Sequence, residues 1–279
     1  MKCYDCPRAC GADRDGGQTG YCRCGAKAVV NKFIERFEYE EPCLGEVAAV
    51  FFGGCNLGCS YCQNAAISKT PVGTEYDDRG LAALFDKAYS LDLVTPTPWL
   101  SAIERAIPLC KKPHRVVYNT SGYETVEAVR RASMFTQVFL TDFKYADDGA
   151  AKRYSNASDY KDTALRALVA MREAVSDEWN TADGKRTLER GLIVRHLVLP
   201  ENVDNSIKAL DIIKEYLGAD TVISLMSQFT PNGTGEPNAK LKKIEYKIAA
   251  NHAMSLGFKN GYFQDFDSAD AKYTPDFKR

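Results

Sequence analysis

"GGCNLGCSYCQN", residues 53–64, sets three thiols, Cys55, Cys59 and Cys62, within eight residues, directly behind the apolar run "EVAAVFF". A structural zinc site uses four protein ligands, and an electron-carrying 4Fe-4S centre takes four cysteines. The loop therefore either borrows a ligand, with Cys43 and Cys110 as the isolated candidates, or leaves one metal position open. Thiolates at i, i+4 and i+7 can converge on one face of an iron-sulfur cube. The aromatic Tyr61 before Cys62, and the place of the loop behind a strand, favour the open site.

From residue 45 onward, β-branched apolar runs alternate with amphipathic stretches. "VAAVFF" (47–52), "LDLV" (91–94), "RVVYN" (115–119), "QVFLTDF" (137–143), "GLIVRHLVL" (191–199) and "TVISLM" (221–226) read as buried strands. "GLAALFDKAY", "PWLSAIERAI", "ETVEAVRRAS", "TALRALVAMREAV" and "IKALDIIKEYL" space their apolar residues at three and four, as helices do. This alternation predicts an α/β fold, a partial TIM-like (β/α)6 barrel, with a doubly wound sheet as the alternative. Both architectures gather chemistry at the carboxyl ends of their strands, and polar segments follow each predicted strand there: "GGCNLGCSYCQN", "TPTP", "NTSGY", "DFKY", "PEN" and "SQFTPN".

With 279 residues, 45% hydrophobic, 26% charged and a formal net charge of -1, the composition is that of a soluble globular chain and predicts neither a nucleic-acid nor a membrane partner. The start, "MKCYDCPRAC", has no apolar signal region and no stretch approaches a membrane span, so a cytoplasmic location is expected. Eight of the ten cysteines fall into two groups, Cys3/Cys6/Cys10/Cys22/Cys24 and Cys55/Cys59/Cys62. In a long chain without an export signal that pattern points to metal ligation over disulfides. Residues 1–44 form a cysteine-rich segment too small for its own core, expected to be ordered by metal or docking, and 45–279 the barrel domain. Cys3, Cys6 and Cys10, with Cys22 or Cys24 as fourth, suffice for a zinc site or a second iron-sulfur cluster.

The pattern of Cys55, Cys59, Tyr61 and Cys62 resembles the CxxxCxΦC motif of the radical SAM enzymes, Φ being aromatic. "CYDCPRACGADR", "GYCRCG", "EEPCLGE", "LVTPT", "YNTSGYE", "DFKY", "RYSNASDY" and "GLIVRHLVLP" extend the resemblance to the branch labelled pyruvate formate-lyase activating enzyme-like. It implies a 4Fe-4S cluster with one iron left for S-adenosylmethionine (SAM), reductive SAM cleavage to a 5'-deoxyadenosyl radical, and hydrogen abstraction from a substrate. Implied partners are a reductant protein such as flavodoxin or ferredoxin, and a glycyl radical enzyme or another peptide or small molecule as substrate, under anaerobic conditions. A non-catalytic iron-sulfur or zinc module is the reading from a different class.

The same resemblance distributes the SAM contacts. Where the superfamily carries a "GGE"-like stretch this chain has "LVTPTPW", which puts forward Thr95 and Thr97; Pro98 stands where the branch carries a histidine. Asn119, Thr120 and Ser121 follow the third predicted strand, where they serve as ribose or carboxylate ligands or as a helix cap. Asp142 and Lys144 match the "DLK" strand end of the activating enzymes and alternate onto one side across Phe143. Arg195 and His196 are neighbours on one strand, so alternation sends only one of them inward. Arg195 is the expected carboxylate partner, by bidentate geometry. Met226 and Gln228 are candidates to flank adenine.

Overall fold

The computed structural model describes residues 2–39, 41–231, 235–266 and 277. The chain runs β1 (Ala28–Phe37), β2 (Val47–Phe52), α1 (Ala65–Ser68), β3 (Thr74–Tyr76), α2 (Asp78–Phe85), β4 (Ser90–Val94), α3 (Leu100–Ala106), β5 (Arg115–Thr120) and α4 (Val126–Ser133). It continues through β6 (Val138–Asp142), α5 (Asp148–Ser155), α6 (Tyr160–Ala174), β7 (Glu178–Ala182), β8 (Lys185–Leu197), α7 (Val203–Leu217), β9 (Val222–Met226), α8 (Lys243–Ser255) and β10 (Asn260–Phe263).

One sheet in the order β10-β9-β8-β6-β5-β4-β2-β1-β3 carries the fold. Every neighbouring pair from β2 to β10 is parallel, so the six expected strands are all present and β10 adds a seventh. β1 pairs antiparallel with β2, and β3 with β1. The cysteine-rich segment thus shares the barrel's sheet through β1. The sheet is an open, partial barrel, as the alternation of strands and helices requires.

Side chains sort by the two-residue period of the strands. Val47, Val117, Val138, Leu140, Ile193 and Val222 form one core with Cys43 and Leu44 on the concave side. Tyr118, Phe139, Leu192, Val194 and Ile223 pack outward against α4, α6 and α7. Each fully buried side chain of this size contributes ~1.5–3 kcal/mol. β2 is buried on both faces along its whole length, so it enters the cysteine loop from a fixed position.

The helices begin where short polar side chains stand ready. Asp77, Thr125 and Asp147 accept from the backbone N–H of Gly80, Ala128 and Ala150 at 2.7, 3.0 and 2.8 Å, capping α2, α4 and α5. α5 stops at Asn156, whose left-handed φ of 50° closes the last turn. No helix among the described residues is long and apolar enough to cross a membrane.

Candidate functional site at the carboxyl ends of the strands

Three elements turn the loop after β2 into a rigid shelf. The indole Nε1 of Trp99 donates to the Gly53 carbonyl at 2.7 Å, Asn56 Nδ2 donates to the Tyr123 carbonyl at 2.6 Å, and the Ser60 amide donates to Tyr154 at 2.7 Å. Gly54 has φ +82°, and a Cβ there would meet Cys24 Sγ at 2.4 Å and the Cys22 carbonyl at 3.1 Å. Only glycine fits that crossing.

Cys55, Cys59 and Cys62 all line one cavity of about 340 Å3. Their sulfurs do not all lie within 4.8 Å of one another. That is wider than the ~3.8 Å between two thiolates on a single tetrahedral zinc, so as placed the three do not close on one zinc ion. Neither suggested fourth ligand reaches the cavity wall: Cys43 is buried in the concave core and Cys110 packs beside the α2/α3 layer. Burial pushes the Cys59 thiol up to about 11 and the Cys55 thiol higher still, while the Lys144 ammonium pulls both down. Bound iron would deprotonate such thiols outright. Donors already face the sulfurs: the Leu57 amide points at Cys55 Sγ (3.4 Å), Ser155 Oγ at Cys59 Sγ (3.0 Å), and Ser68 Oγ pairs with Cys62 Sγ (3.3 Å). Tyr61 stands behind them in a hydroxyl chain, bonded to Tyr145 at 2.7 Å, which bonds to Ser155 at 2.6 Å.

The opposite wall is polar. Asp142 accepts from Lys144 Nζ at 2.5 Å and from Arg195 Nε at 2.9 Å, and Arg195 also donates to Asn119 Oδ1 at 2.6 Å. The parallel register that sets Asp142 against Arg195 makes this contact automatic. Burial pushes the Asp142 carboxyl up, but the Arg195 and Lys144 charges outweigh it and hold it below its ordinary value. Behind them Asn119 donates to Asp92 at 3.1 Å and Tyr39 also hydrogen-bonds that carboxylate, which burial raises to about 6. Ser121 Oγ is buried at the cavity edge with no hydrogen-bond partner, an orphan that a polar ligand would satisfy. Thr95 lines the cavity with φ +61°, an uncommon backbone state for a β-branched residue.

Cys55, Cys59, Tyr61, Cys62, Thr95, Asn119, Ser121, Asp142, Lys144, Arg195, Met226 and Gln228 are thus brought to one cavity. Two anticipated residues are not. His196 takes the outward side of β8, bonded to the Phe143 carbonyl at 2.6 Å and Ser206 at 2.9 Å, and burial lowers its pKa to about 4. Arg195 is the inward one of the pair. Thr97 sits behind the wall and donates to Glu124, whose other donor is Thr120 at 2.5 Å.

In the N-terminal segment Cys22 and Cys24 are buried, Cys3 and Cys6 half-buried and Cys10 exposed. Cys6 lies within electrostatic reach of Cys3 and Cys22. Cys22 is drawn down to about 6 by a bond from the Cys24 thiol, against burial, with the Arg14 guanidinium helping at 3.3 Å. Arg8 serves a different end. Its guanidinium lies 3.9 Å from the Tyr21 ring centroid and donates to the Asn56 and Asn156 carbonyls at 2.8 and 2.7 Å. Arg8, Trp99, Tyr145 and Ser155 join the site only through the fold; in the sequence Ser155 is signalled by no more than its place in "RYSNASDY".

No protein-family model matches the chain. An uncharacterized protein of Methanocaldococcus jannaschii, MJ0674, is 27% identical over 243 residues, covering 82% of this chain and 66% of that protein. Among solved structures, Streptococcus suis SuiB bound to S-adenosylmethionine superposes with a TM-score of 0.51 at 10% identity, over 77% of this chain and 49% of SuiB. SuiB bound to the precursor peptide SuiA gives 0.52 at 12% identity, over 77% and 48%. The chain therefore spans about half the length of SuiB. At these identities the likeness is one of fold: the same partly open barrel of parallel strands under helices.

Proposed function

We propose that this protein is a radical SAM enzyme, in which Cys55, Cys59 and Cys62 hold a 4Fe-4S cluster. Bound cluster and SAM together supply reductive cleavage of the sulfonium to methionine and a 5'-deoxyadenosyl radical, which takes a hydrogen atom from the substrate. The observation that carries this reading is a single cavity whose wall bears three thiols, no fourth cysteine among the described residues, and a facing polar array of Asn119, Ser121, Lys144 and Arg195. An open metal position opposite an anion-binding wall suits a ligand with an amino-acid end.

In this reading the chain's own residues orient and shield. Ser155 and the Leu57 amide donate toward the Cys59 and Cys55 sulfurs, Ser68 pairs with Cys62, and these bonds tune the potential of what the sulfurs hold. Asp142 and Asn119 fix the Arg195 guanidinium so that it meets a carboxylate without reorganising. The Ser121 hydroxyl is left for ribose, and Gln228, whose Oε1 accepts from Gln264 Nε2 at 3.1 Å, stands beside adenine. Tyr61, Leu57 and Phe229 keep the thiol side dry.

The decisive experiment is anaerobic reconstitution with iron and sulfide, followed by SAM and dithionite. 5'-Deoxyadenosine is expected, and its absence from protein with full iron content overturns the reading in favour of a non-catalytic metal module. Arg195→Lys should raise the SAM concentration needed for half-maximal cleavage by roughly tenfold, since an ammonium cannot keep both the Asp142 and Asn119 bonds that hold the guanidinium in place.

For the substrate, the extended resemblance to activating enzymes supports abstraction from a backbone glycine of a glycyl radical enzyme, with flavodoxin or ferredoxin as electron donor in an anaerobic cytoplasm. SuiB, of the same fold, has been crystallised with its precursor peptide, which favours a peptide-borne hydrogen more generally. A glycyl-radical EPR doublet in a partner protein would select the first reading. Modification of a short peptide without that doublet would select the second.

A further inference from the structure

We propose a metal site at the amino-terminal end of the sheet, formed by Asp86, Cys110 and His114 and taking a Zn2+-type ion. It is independent of the proposed activity and lies at the opposite ends of β4 and β5 from the cysteine loop.

The three residues come from segments that the fold brings together beneath those strands. Asp86 caps the carboxyl end of α2, Cys110 ends the short turn Ile107–Leu109 that continues α3, and His114 immediately precedes β5. Their ligand atoms, a carboxylate oxygen, a thiol sulfur and an imidazole nitrogen, all lie within 4.8 Å of one another. Among the described residues no other three His, Cys, Asp or Glu side chains draw together so closely.

His114 carries the argument. Its Nδ1 lies 2.9 Å from the Ala88 carbonyl, which can only accept, so Nδ1 holds the proton. In the neutral ring, Nε2 then presents a lone pair. That nitrogen is buried without a hydrogen-bond partner, on a side chain only 3% exposed, and faces Asp86 Oδ1 at 3.4 Å. Two acceptors set face to face, the imidazole almost wholly covered and the carboxylate 15% exposed, call for a cation between them. The separation matches one: two donors each ~2.1 Å from a tetrahedral ion stand ~3.4 Å apart.

The supporting contacts are those that hold metal ligands in place. The carbonyl on Nδ1 fixes the tautomer that frees Nε2, and the Lys111 amide donates to both Asp86 oxygens at 3.0 and 3.1 Å. The Cys110 thiol makes only long contacts, at 3.6 and 3.9 Å, to the Ala106 and Ala82 carbonyls. Binding would release its proton to solvent, leaving a thiolate, a carboxylate and a neutral imidazole to balance a doubly charged ion, with water at the fourth vertex. Nitrogen and sulfur donors favour Zn2+ over Mg2+ or Ca2+.

The test is a difference measurement, because the other cysteines also attract zinc. Cluster-reconstituted wild type, Cys110→Ser and His114→Ala are each loaded with Zn2+, freed of excess by gel filtration, and analysed for zinc and iron per chain. One zinc fewer is expected in each variant, with iron content and far-UV circular dichroism unchanged. In Co2+-loaded protein the near-ultraviolet sulfur-to-cobalt absorption should drop by one thiolate's share in Cys110→Ser. Equal zinc in wild type and in either folded variant overturns the proposal and leaves His114 as an imidazolium paired with Asp86. If one variant fails to fold, the other decides.

Discussion

The two cysteine groups obey the same chemistry but sit in opposite kinds of surroundings. Cys55, Cys59 and Cys62 share one cavity, and each sulfur faces a hydrogen-bonding group. The N-terminal thiols run from fully buried Cys24 to exposed Cys10, and among them Cys22 is contacted by both the Cys24 thiol and the Arg14 guanidinium. A short spacing on one loop behind a buried strand dictates its own geometry. A spacing stretched over residues 3–24 leaves geometry to be decided by whatever the segment packs against. The two groups meet at Gly54, where the N-terminal chain lies on the loop.

The contrast breaks most sharply under alanine. Replacing Cys55, Cys59 or Cys62 should reduce 5'-deoxyadenosine to background, while Cys10→Ala and Cys43→Ala should leave it within about twofold of wild type, read by chromatography of quenched reactions. Loss of cleavage in Cys43→Ala would mean a fourth protein ligand.

Next in size is a pH effect beneath the N-terminal group, where Glu124 lies within electrostatic reach of Cys6. Burial raises the Glu124 carboxyl from 4.5 to about 7, against the Thr120 and Thr97 hydroxyls that lower it. The folded state therefore holds the proton more tightly than the unfolded chain, and the stability this provides is lost as pH climbs from 4.5 through 7. Glu124→Gln, neutral throughout, should gain on wild type by up to about 3 kcal/mol over that window, in urea titrations at successive pH values.

Gly54→Ala tests the place where the groups touch. A strained φ and a Cβ against Cys24 and the Cys22 carbonyl should cost about 1–3 kcal/mol and lower iron incorporation, measured by thermal melts and iron analysis. Ser155→Ala is the gentlest probe. Losing the bonds to Cys59 and Tyr145 should cost about 1–3 kcal/mol and shift the cluster's reduction potential, with iron content retained, as read by EPR-monitored titration.

Much of this was legible in the chain itself. Apolar runs such as "VAAVFF", alternating with amphipathic stretches, read as buried strands, and in a parallel sheet their polar followers collect at one end. Where alternation left a choice, only the fold resolved it. Arg195 and His196 are equally placed by period, and the register of β8 against Asp142 turned the arginine inward. β10, "NGYF", is too short and too polar to announce itself, and "DGAAKRYS" of α5 has too little apolar periodicity. Ser155 and Arg8 are invisible for a deeper reason: their partners lie 96 and 48 residues away, and no local pattern encodes such a meeting. His114, which reads as a surface position, is buried because Ala88 and Asp86 close over it from another loop.

The Arg8 guanidinium has a consequence for how this protein is assembled. It bridges the cysteine loop at Asn56 and the end of α5 at Ser155 and Asn156. Whatever free energy these bonds give the loop when residues 3–10 are in place, they give residues 3–10 when the loop is in place, by thermodynamic reciprocity. The stability of the cysteine loop and the order of the N-terminal segment are therefore one linked property.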